Sequence, residues 1–529
     1  MNRPHKYQLL AAAGLFGAVL GGLLIEGTGP GPAPGRAFRM TLSNEPPTLD
    51  WTLATDSVSI TVLNNLMEGL TEYDGQLRPR PAIANSWEVS SDGRVYRFHL
   101  REDALWSDGV RVTAADFEYS WKRLLDPETG AEYAYFLYDL EGAEDYNSGR
   151  LKDPSAVGVR ALDDSTLEVR LRKPIVFFPS IATFVVTFPL RRDVVEKYGD
   201  RWTEPSHIVT NGPFLLSEWR HEYKLTLIPN PRYYGPPPGM NRVTLFVINE
   251  TTTALTLYET GDLELTPLPP EAIETFRGRP DYVSTPLLRG NYYGFNLKKA
   301  PFHDPRVRQA FSLAIDRRDL PRILKRGEIP SAYWIPPGMP YHNPDIGLSF
   351  DPDRARRLLS EAGYPKGRGF PEVTAVFNTG PDNSLVAEFL QAQWKQHLGI
   401  AIGLDNQEWK VYLKRLQNDT PPLFRLGWGA DYPDPDTFMN LFTSTSGMNR
   451  THWGNSDYDR LVSEAALERD PASRREKYDE AQRILLETDS VIIPLFVSTQ
   501  SWAVRPGVEG LQFNALEMIY LKKVHWANP

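Results

Sequence analysis

The chain has 529 residues, of which 41% are hydrophobic and 24% charged; this is a soluble globular composition, and the length predicts more than one domain. A formal charge of −9 argues against a nucleic-acid partner, which requires a basic surface. The absence of cysteine excludes disulfides, thiol catalysis, thiolate metal sites and a lipid anchor attached through cysteine.

The N-terminal segment is typical of an exported protein. Residues 1–8 carry Arg3 and Lys6, and residues 9–25 form an uncharged apolar run. This pattern predicts either a signal peptide or an uncleaved N-terminal anchor, which would be the protein's only contact with a membrane. Residues 26–37 then form a linker rich in glycine and proline.

A first strand is predicted from Phe38, and an extended segment follows it because Pro46 and Pro47 disfavour a helix. The next region is predicted to be rich in β-structure. Apolar residues alternate with polar ones at 96–100 and again at 167–171, which is the period of a half-buried strand.

One helix is predicted between these two strands. Thr113 and Asp116 have the spacing of a capping box at a helix start. The helix would carry three apolar residues: Phe117, Trp121 and Leu124.

From about residue 182 the chain is predicted to return to the first unit and then to enter an α/β region. Helix starts are predicted where an aspartate precedes a proline, because the acid caps the helix and proline fits its first turn. These starts are Asp304-Pro305, Asp351-Pro352 and Asp470-Pro471. A strand over 373–378 is followed by a helix and two further strands. The helix carries Leu385, Phe389 and Leu398, and the strands lie around Trp409 and Arg425.

Residues 424–440 read as a strand that stops at a turn. A run rich in apolar and aromatic residues ends at Asp431, just before the turn-forming Pro433 and Pro435. Gly427 and Gly429 lie on either side of Trp428 and remove two side chains, as expected where another backbone approaches closely.

Several segments together resemble the peptide-binding proteins that serve ABC importers, the oligopeptide-binding type of solute-binding protein family 5. Arg425–Phe438 is similar to the ligand-site segment of that family, and Asn406–Leu413 to the segment that places a tryptophan beside the site. Four further segments occur in the family's order and spacing: Leu66–Asp74, Ala84–Trp87, Tyr96–Arg101 and Trp106–Gly109. The resemblance extends from about Leu42 to the C-terminus.

The resemblance implies an α/β fold of two lobes joined by a hinge, the periplasmic-binding-protein fold, with an extra β-rich domain. Lobe I would comprise residues 38–57, 182–287 and 499–529, the extra domain residues 58–181, and lobe II residues 288–498. The implied protein is a monomeric receptor in the periplasm or cell envelope. It would close on a peptide and deliver it to the permease subunits of an ABC importer.

The resemblance also assigns roles to one cluster of site residues. Asp431 matches the acid that takes the free α-ammonium of the ligand, and a carboxylate supplies the required acceptor and charge. Gly427, Trp428 and Gly429 would offer backbone groups to an extended peptide, which is recognition by strand addition. Such pairing does not depend on the ligand's side chains. Arg425 is retained from the family pattern, and an ion pair within the protein is its alternative role.

Five further candidates are spread along the chain. Trp409 and Tyr133 would form walls of the cavity, although each is also of a type common in protein cores. Glu45 lies in the extended segment that lines the cleft in the family, Tyr292 lies where the chain enters lobe II, and Asn383 falls near the carboxyl end of the ligand.

The pattern departs from the family where it would meet the ligand's carboxylate. Leu416 and Asn383 stand where the best-known oligopeptide binders have basic groups. Arg415 is adjacent to the first position but would point to the other face of a strand. The carboxyl end of the ligand is therefore the least secure part of the predicted site.

The signals for an enzyme are weak. There is no Gly-x-Ser-x-Gly motif, His221-Glu222 lacks a second histidine, and residues 363–369 lack the end of a phosphate loop. Asp434 and Asp436 are predicted to be solvated turn caps. No metal, cofactor or catalytic residue is therefore predicted. Two alternatives remain open: a receptor of the same fold for a dipeptide, glycoside or nickel chelate, and a secreted hydrolase.

Overall fold

A computed structural model describes residues 37–527, so the predicted segment 1–25 and nearly all of the linker 26–37 lie outside the described residues. Along residues 37–213 the strands are β1 (Ala37–Leu42), β2 (Thr71–Tyr73), β3 (Pro79–Pro81), β4 (Ala84–Val89), β5 (Val95–Leu100), β6 (Val159–Asp163) and β7 (Thr166–Arg170). The helices there are α1 (Ser57–Leu66), α2 (Ala114–Leu125), α3 (Ala143–Asn147), α4 (Phe178–Ile181) and α5 (Arg192–Tyr198).

The middle of the chain begins with strands that pair with β1. Its strands are β8 (Phe214–Arg220), β9 (Lys224–Pro229), β10 (Arg242–Val247), β11 (Leu265–Pro267), β12 (Tyr282–Phe295) and β13 (Ile329–Pro330). Its helices are α6 (Thr251–Thr260), α7 (Pro270–Phe276), α8 (Pro305–Leu313) and α9 (Leu320–Leu324).

The last part of the chain alternates helices and strands before a strand-rich end. The strands are β14 (Thr374–Asn378), β15 (Gly403–Gln407), β16 (Leu423–Gly429), β17 (Ile492–Val504), β18 (Val508–Glu509), β19 (Gln512–Phe513), β20 (Ile519–Tyr520) and β21 (His525–Trp526). The helices are α10 (Pro352–Glu361), α11 (Pro381–Leu398), α12 (Trp409–Asn418), α13 (Asp436–Met439), α14 (Ser456–Leu467) and α15 (Pro471–Arg483), and α15 continues into a π-helical turn at Ile484–Thr488.

Two long antiparallel strands run through the middle of the molecule. Within residues 37–527 the largest sheet has 11 strands, in the order β15-β14-β16-β12-β17-β11-β1-β10-β9-β8, with β13 beside β17. β12 and β17 pair from Tyr282 and Ala503 to Gly294 and Ile492, and this ladder is irregular between Pro286 and Gly290. The strand pair thus joins β14–β16 on one side to β1 and β8–β11 on the other.

A separate four-stranded sheet, in the order β4-β5-β7-β6, forms the core of the region 58–181. The alternation predicted at 96–100 and the burial of Leu167, Val169 and Leu171 are confirmed. Glu168 breaks the second pattern because it is also buried, and ion pairs with Arg97 and Arg170 compensate its charge. The capping box at the start of α2 is confirmed.

All three predicted aspartate caps are confirmed. Asp304 accepts a hydrogen bond from the backbone N–H of Arg306, Asp351 from that of Arg354, and Asp470 from that of Ser473. Each helix begins at the following proline.

Two predictions in the α/β region are wrong. Trp409 does not lie in a strand, because the strand ends at Gln407 and Trp409 begins α12; Arg415 is therefore on a helix, where it pairs with Asp405 at 2.8 Å. Leu385 is 42% exposed, and α11 instead buries Val386, Leu390, Trp394 and Leu398. Leu398, one of the apolar residues named from the sequence, belongs to this buried stripe, whereas Leu385 does not.

Among the described residues 37–527, no helix has the length and apolar character needed to cross a bilayer.

Candidate ligand-binding site

The site forms where β16 ends. Residues 430–435 make a turn between β16 and α13, and the hydroxyl of Thr437 holds this turn. The Thr437 hydroxyl accepts a hydrogen bond from the indole N–H of Trp428 at 3.3 Å and from the backbone N–H of Asp431 at 3.4 Å. The predicted strand stop is thereby confirmed, and the turn fixes Asp431 just beyond the strand.

The end of β16 has one open edge. β12 pairs with the whole of β16, whereas on the other side β14 pairs only at Leu423 and Phe424 and then continues beside β15. The backbone N–H of Ala430 donates to the carbonyl of Leu288, so even-numbered residues of β16 hydrogen-bond to β12. The backbone groups of Arg425, Gly427 and Gly429 therefore face the open edge.

A tyrosine lies in the fork between the diverging strands. The hydroxyl of Tyr412 on α12 donates to the carbonyl of Arg425 at 2.6 Å, and it also lies 3.2 Å from the carbonyl of Val376 on β14. Tyr412 thus closes one end of the open edge, and no strand within residues 37–527 lies beside the backbone groups of Gly427 and Gly429 on that side. In α/β sheets, such forks at the carboxyl ends of parallel strands are common places for ligands.

Asp431 carries a charge that the protein does not compensate. Among the described residues, none donates a hydrogen bond to its carboxylate or forms an ion pair with it. Burial raises the pKa of this carboxyl group to about 6. Burial and the nearby Asp431 carboxylate together raise the pKa of the Tyr133 and Tyr135 hydroxyls. The arrangement disfavours a lone negative charge and favours a cation beside it.

Arg425 provides the opposite charge at the other end of the open edge. Its guanidinium donates to the amide oxygens of Asn291 at 2.6 Å and Asn378 at 3.3 Å. Within the described part of the chain, no carboxylate pairs with it, and burial lowers its pKa. The hydroxyl of Tyr293, the residue of β12 paired with Arg425, is buried and has no hydrogen-bond partner among the residues that the structure describes.

The other predicted residues lie in different surroundings. Tyr133 packs edge-on against Phe136 and Phe184. Asn383 donates to the carbonyl of Asn378 at 2.9 Å, so it supports a residue that contacts Arg425. Trp409 is the first residue of α12, three residues before Tyr412.

Two of the predicted site residues, Glu45 and Tyr292, contact other parts of the protein in this structure. The carboxylate of Glu45 accepts hydrogen bonds from Trp219 at 2.9 Å and from the ring of His221 at 2.7 Å, both at the β8 edge of the sheet. Tyr292 is 2% exposed and packs against Trp334 and Phe442. Neither side chain is therefore brought to the open edge of β16 in this structure.

The prediction that Asp434 and Asp436 are solvated is wrong, because α15 packs beneath the turn and both are buried. Asp434 forms an ion pair with Arg474 at 2.7 Å, and Asp436 accepts a hydrogen bond from Tyr432 at 3.0 Å. These contacts tie the turn to α15 and link two of its own residues. The sequence analysis did not identify Thr437 or Tyr135 as site residues. Of the two, only Thr437 lies inside Arg425–Phe438, the segment that resembles the family's ligand site.

A two-lobed α/β architecture with a site at the strand ends is that of a solute-binding protein, and the comparisons with known proteins agree. Residues 78–450 match the family described as bacterial extracellular solute-binding proteins, family 5 Middle. The chain is 35% identical over 479 residues to the periplasmic oligopeptide-binding protein OppA of Salmonella typhimurium, covering 88% of each chain. The chain belongs to this family of solute-binding proteins, and the predicted fold and family are confirmed.

Two solved structures bear on the arrangement of the lobes. The unliganded open form of the murein tripeptide-binding protein MppA is 31% identical, with a TM-score of 0.85 and coverage of 93% of this chain and 98% of that one. Haemophilus influenzae OppA in complex with the peptide RPPGFSPFR is also 31% identical, with a TM-score of 0.72 and coverage of 94% and 100%. By TM-score, this structure is more similar to the unliganded open form than to the peptide complex.

Proposed function

We propose that the protein is an exported peptide receptor of an ABC importer, which binds a peptide between its lobes without chemical change. The observation that carries the proposal is the uncompensated carboxylate of Asp431 at the end of an open strand edge. This pair of features fits a ligand with an ammonium group followed by an extended backbone. The names of the similar proteins, among them an oligopeptide-binding protein, point the same way.

The two charges of the site give the ligand a direction. The ammonium would lie at Asp431, and the backbone would pair with Gly429 and Gly427, so the peptide runs antiparallel to β16. Its carboxyl end is then directed toward Arg425, six residues earlier in the strand and ~20 Å away, a distance that an extended peptide of about six residues spans.

The assignment of lobes supports a closing movement. The proposed boundaries at 287/288 and 498/499 fall within β12 and β17, next to the irregular pairing between Pro286 and Gly290. A ladder that is interrupted there bends more easily than a regular one. We place the hinge at this point, with the extra domain at 58–181, and expect the closed monomer to dock on the permease subunits.

Two alternatives make different predictions. A receptor of the same fold for a glycoside would not require an amine on its ligand, whereas this site does. A hydrolase would release cleaved products, whereas a receptor returns its peptide unchanged.

The substitution Asp431→Asn tests the proposal. It keeps the size of the side chain and deletes its charge, so the ligand's ammonium would be enclosed without a counter-charge. Removing one partner of a buried ion pair costs roughly 3–5 kcal/mol, against about 0–1 kcal/mol for an exposed pair. We therefore expect calorimetry to show a loss of affinity of more than about a hundredfold for free-amine tripeptides.

Two controls accompany this measurement. An N-acetylated tripeptide should bind the unaltered protein as weakly as the free-amine peptide binds Asp431→Asn, because both changes delete the same pair. The exposed Asp200→Asn should bind like the unaltered protein. If Asp431→Asn binds free-amine peptides within a few-fold of the unaltered protein, Asp431 is only a turn residue and does not bind the ligand's ammonium.

A further inference from the structure

A second cavity, of about 330 Å³, lies in the region assigned to lobe II. Three segments form its walls: residues 315–318 between α8 and α9, residues 330–332 at the end of β13, and residues 349–350 before α10. None of these residues belongs to the site around Asp431. The cavity therefore has no wall in common with the proposed peptide site.

The side chain of Arg317 lines this cavity, although the residue is only 6% exposed. Its guanidinium donates four hydrogen bonds, and all of the acceptors are uncharged. They are the carbonyls of Pro494 at 2.6 Å, Leu348 at 3.1 Å and Ile315 at 3.5 Å, and the hydroxyl of Ser312 at 3.1 Å. A guanidinium has five N–H donors, so one donor has no acceptor within residues 37–527. These contacts hold the group in place but do not neutralise its charge.

Arg317 also has no acid of its own. Burial lowers its pKa to about 10, so it stays positively charged at neutral pH. Burial lowers the pKa of two other arginines, but Arg308 lies near two carboxylates and Arg425 faces the proposed peptide site. The acid next to Arg317 in the chain is Asp316, which pairs with Arg318 at 2.5 Å. Arg317 is thus a buried positive charge without a counter-charge in the described part of the chain.

The walls of the cavity offer further donors to an anion. Three lining residues have backbone N–H groups with no acceptor among the residues that the structure describes: Ala332, Ser349 and Phe350. Ser349 is exposed, so its hydroxyl is accessible from solvent. Asp316 is the one acid in the lining, and Arg318 compensates its charge. The cavity therefore presents a net positive charge together with hydrogen-bond donors.

We propose that this cavity binds a small oxyanion, of the size and charge of phosphate or sulfate, which compensates the charge of Arg317. A buried ion without a counter-charge is costly, and an anion in the adjoining cavity removes that cost. Several donors around one cation favour an oxyanion, which has several acceptor oxygens, over chloride. The size fits, since an apolar cavity of about 150 Å³ already holds a benzene ring. This inference is independent of the proposed function, because it uses no residue of the peptide site.

Calorimetry with inorganic phosphate, in a chloride buffer free of other oxyanions, tests the inference. We expect one phosphate to bind per chain with a dissociation constant below about 1 mM, and sulfate to displace it. The thermal midpoint of unfolding should rise with phosphate concentration, because a ligand that binds only the folded state stabilises it. The absence of saturable binding up to about 20 mM phosphate would overturn the inference, as would binding no tighter than that of chloride.

A matched pair of variants at Ser349 locates the site. Ser349→Asp adds a carboxylate to the cavity wall and should supply the missing negative charge, so phosphate binding should be lost and the midpoint without phosphate should rise. Ser349→Asn adds a side chain of the same size without the charge, and it should bind phosphate within about threefold of the unaltered protein. Arg317→Met is less informative, because it deletes the charge together with four hydrogen bonds. Phosphate binding that survives in Ser349→Asp would place the anion elsewhere and refute the assignment.

Variants of the peptide site separate this inference from the proposed function. Asp431→Asn and Arg425→Gln should both bind phosphate like the unaltered protein. If Arg425→Gln loses phosphate binding while Ser349→Asp retains it, the anion belongs to the peptide site and the inference is wrong. Peptide binding that does not depend on Asp431 would refute the proposed function and leave the phosphate results unchanged.

Discussion

At the scale of single residues, Asp431 is expected to make peptide binding depend on pH. Burial raises its pKa to about 6 in the ligand-free protein, and an ammonium beside it lowers that pKa because an opposite charge favours the ionised form. Below pH 6 a peptide must therefore displace a proton, and its affinity should fall by up to about tenfold per pH unit. Above about pH 8 the ligand's α-amine loses its own proton, and affinity should fall again.

Titration calorimetry between pH 5 and pH 9 measures this profile. Burial also raises the pKa of Asp436 to about 6. The variant Asp431→Asn is therefore needed to show which of the two carboxyl groups causes the fall in affinity at low pH. The fall in affinity below pH 6 should be absent in the variant and present in the unaltered protein. A constant affinity for a free-amine peptide between pH 5 and pH 7 would contradict the assigned role of Asp431.

The sequence pointed to site residues only where the local pattern was specific. Asp431 and Trp428 lie in one short segment whose strand, glycines and turn signals agree with one another. Glu45 was placed by its segment alone, and the chain folds so that Trp219 and His221 occupy its carboxylate. Such long-range partners leave no signal near the residue, so sequence patterns could not predict these contacts.

At the scale of elements, the two glycines of β16 are expected to differ. A Cβ at Gly427 would lie 3.1 Å from the side-chain oxygen of Asn291 and 3.2 Å from the carbonyl of Gly290, which is a tight contact. At Gly429 the nearest atom, Nε of Arg289, would be 3.6 Å away, an ordinary contact. Overpacking typically costs about 1–3 kcal/mol.

We therefore expect Gly427→Ala to lower the urea midpoint of unfolding and Gly429→Ala to leave it nearly unchanged. Gly427→Ala should also weaken peptide binding, because Asn291 accepts a hydrogen bond from Arg425 and a shifted amide would turn the guanidinium. Equal unfolding midpoints for the two variants would show that β12 relaxes without cost.

Elements with explicit end signals were predicted well, and those without them were not. The aspartate caps before α8, α10 and α15 are local interactions, so the sequence contains all the information required. Trp409 follows a true strand directly, and no strong breaker separates them. The helical signal was present, since Tyr412 and Leu416 are buried four residues apart, but the preceding strand obscured it.

At the scale of the whole molecule, the order of strands could not be read from periodicity. Sheet neighbours such as β1 and β10 are about 200 residues apart along the chain, and only the family resemblance implied a chain that leaves lobe I and returns to it. Residue patterns predicted which segments are strands, and the resemblance predicted how they assemble. The lobe boundaries themselves remain predictions, and their placement within β12 and β17 leads to a test.

Peptide binding is expected to compact the protein by bending at this strand pair. This structure is more similar to an unliganded open form than to a peptide complex of equal identity, with TM-scores of 0.85 and 0.72. A peptide that pairs with β16 in lobe II and is enclosed by lobe I gains contacts only when the lobes approach each other. Small-angle scattering should therefore show a smaller radius of gyration with saturating peptide, while Asp431→Asn at the same peptide concentration should keep the larger radius. An unchanged radius in the unaltered protein, with binding confirmed by calorimetry, would refute the hinge.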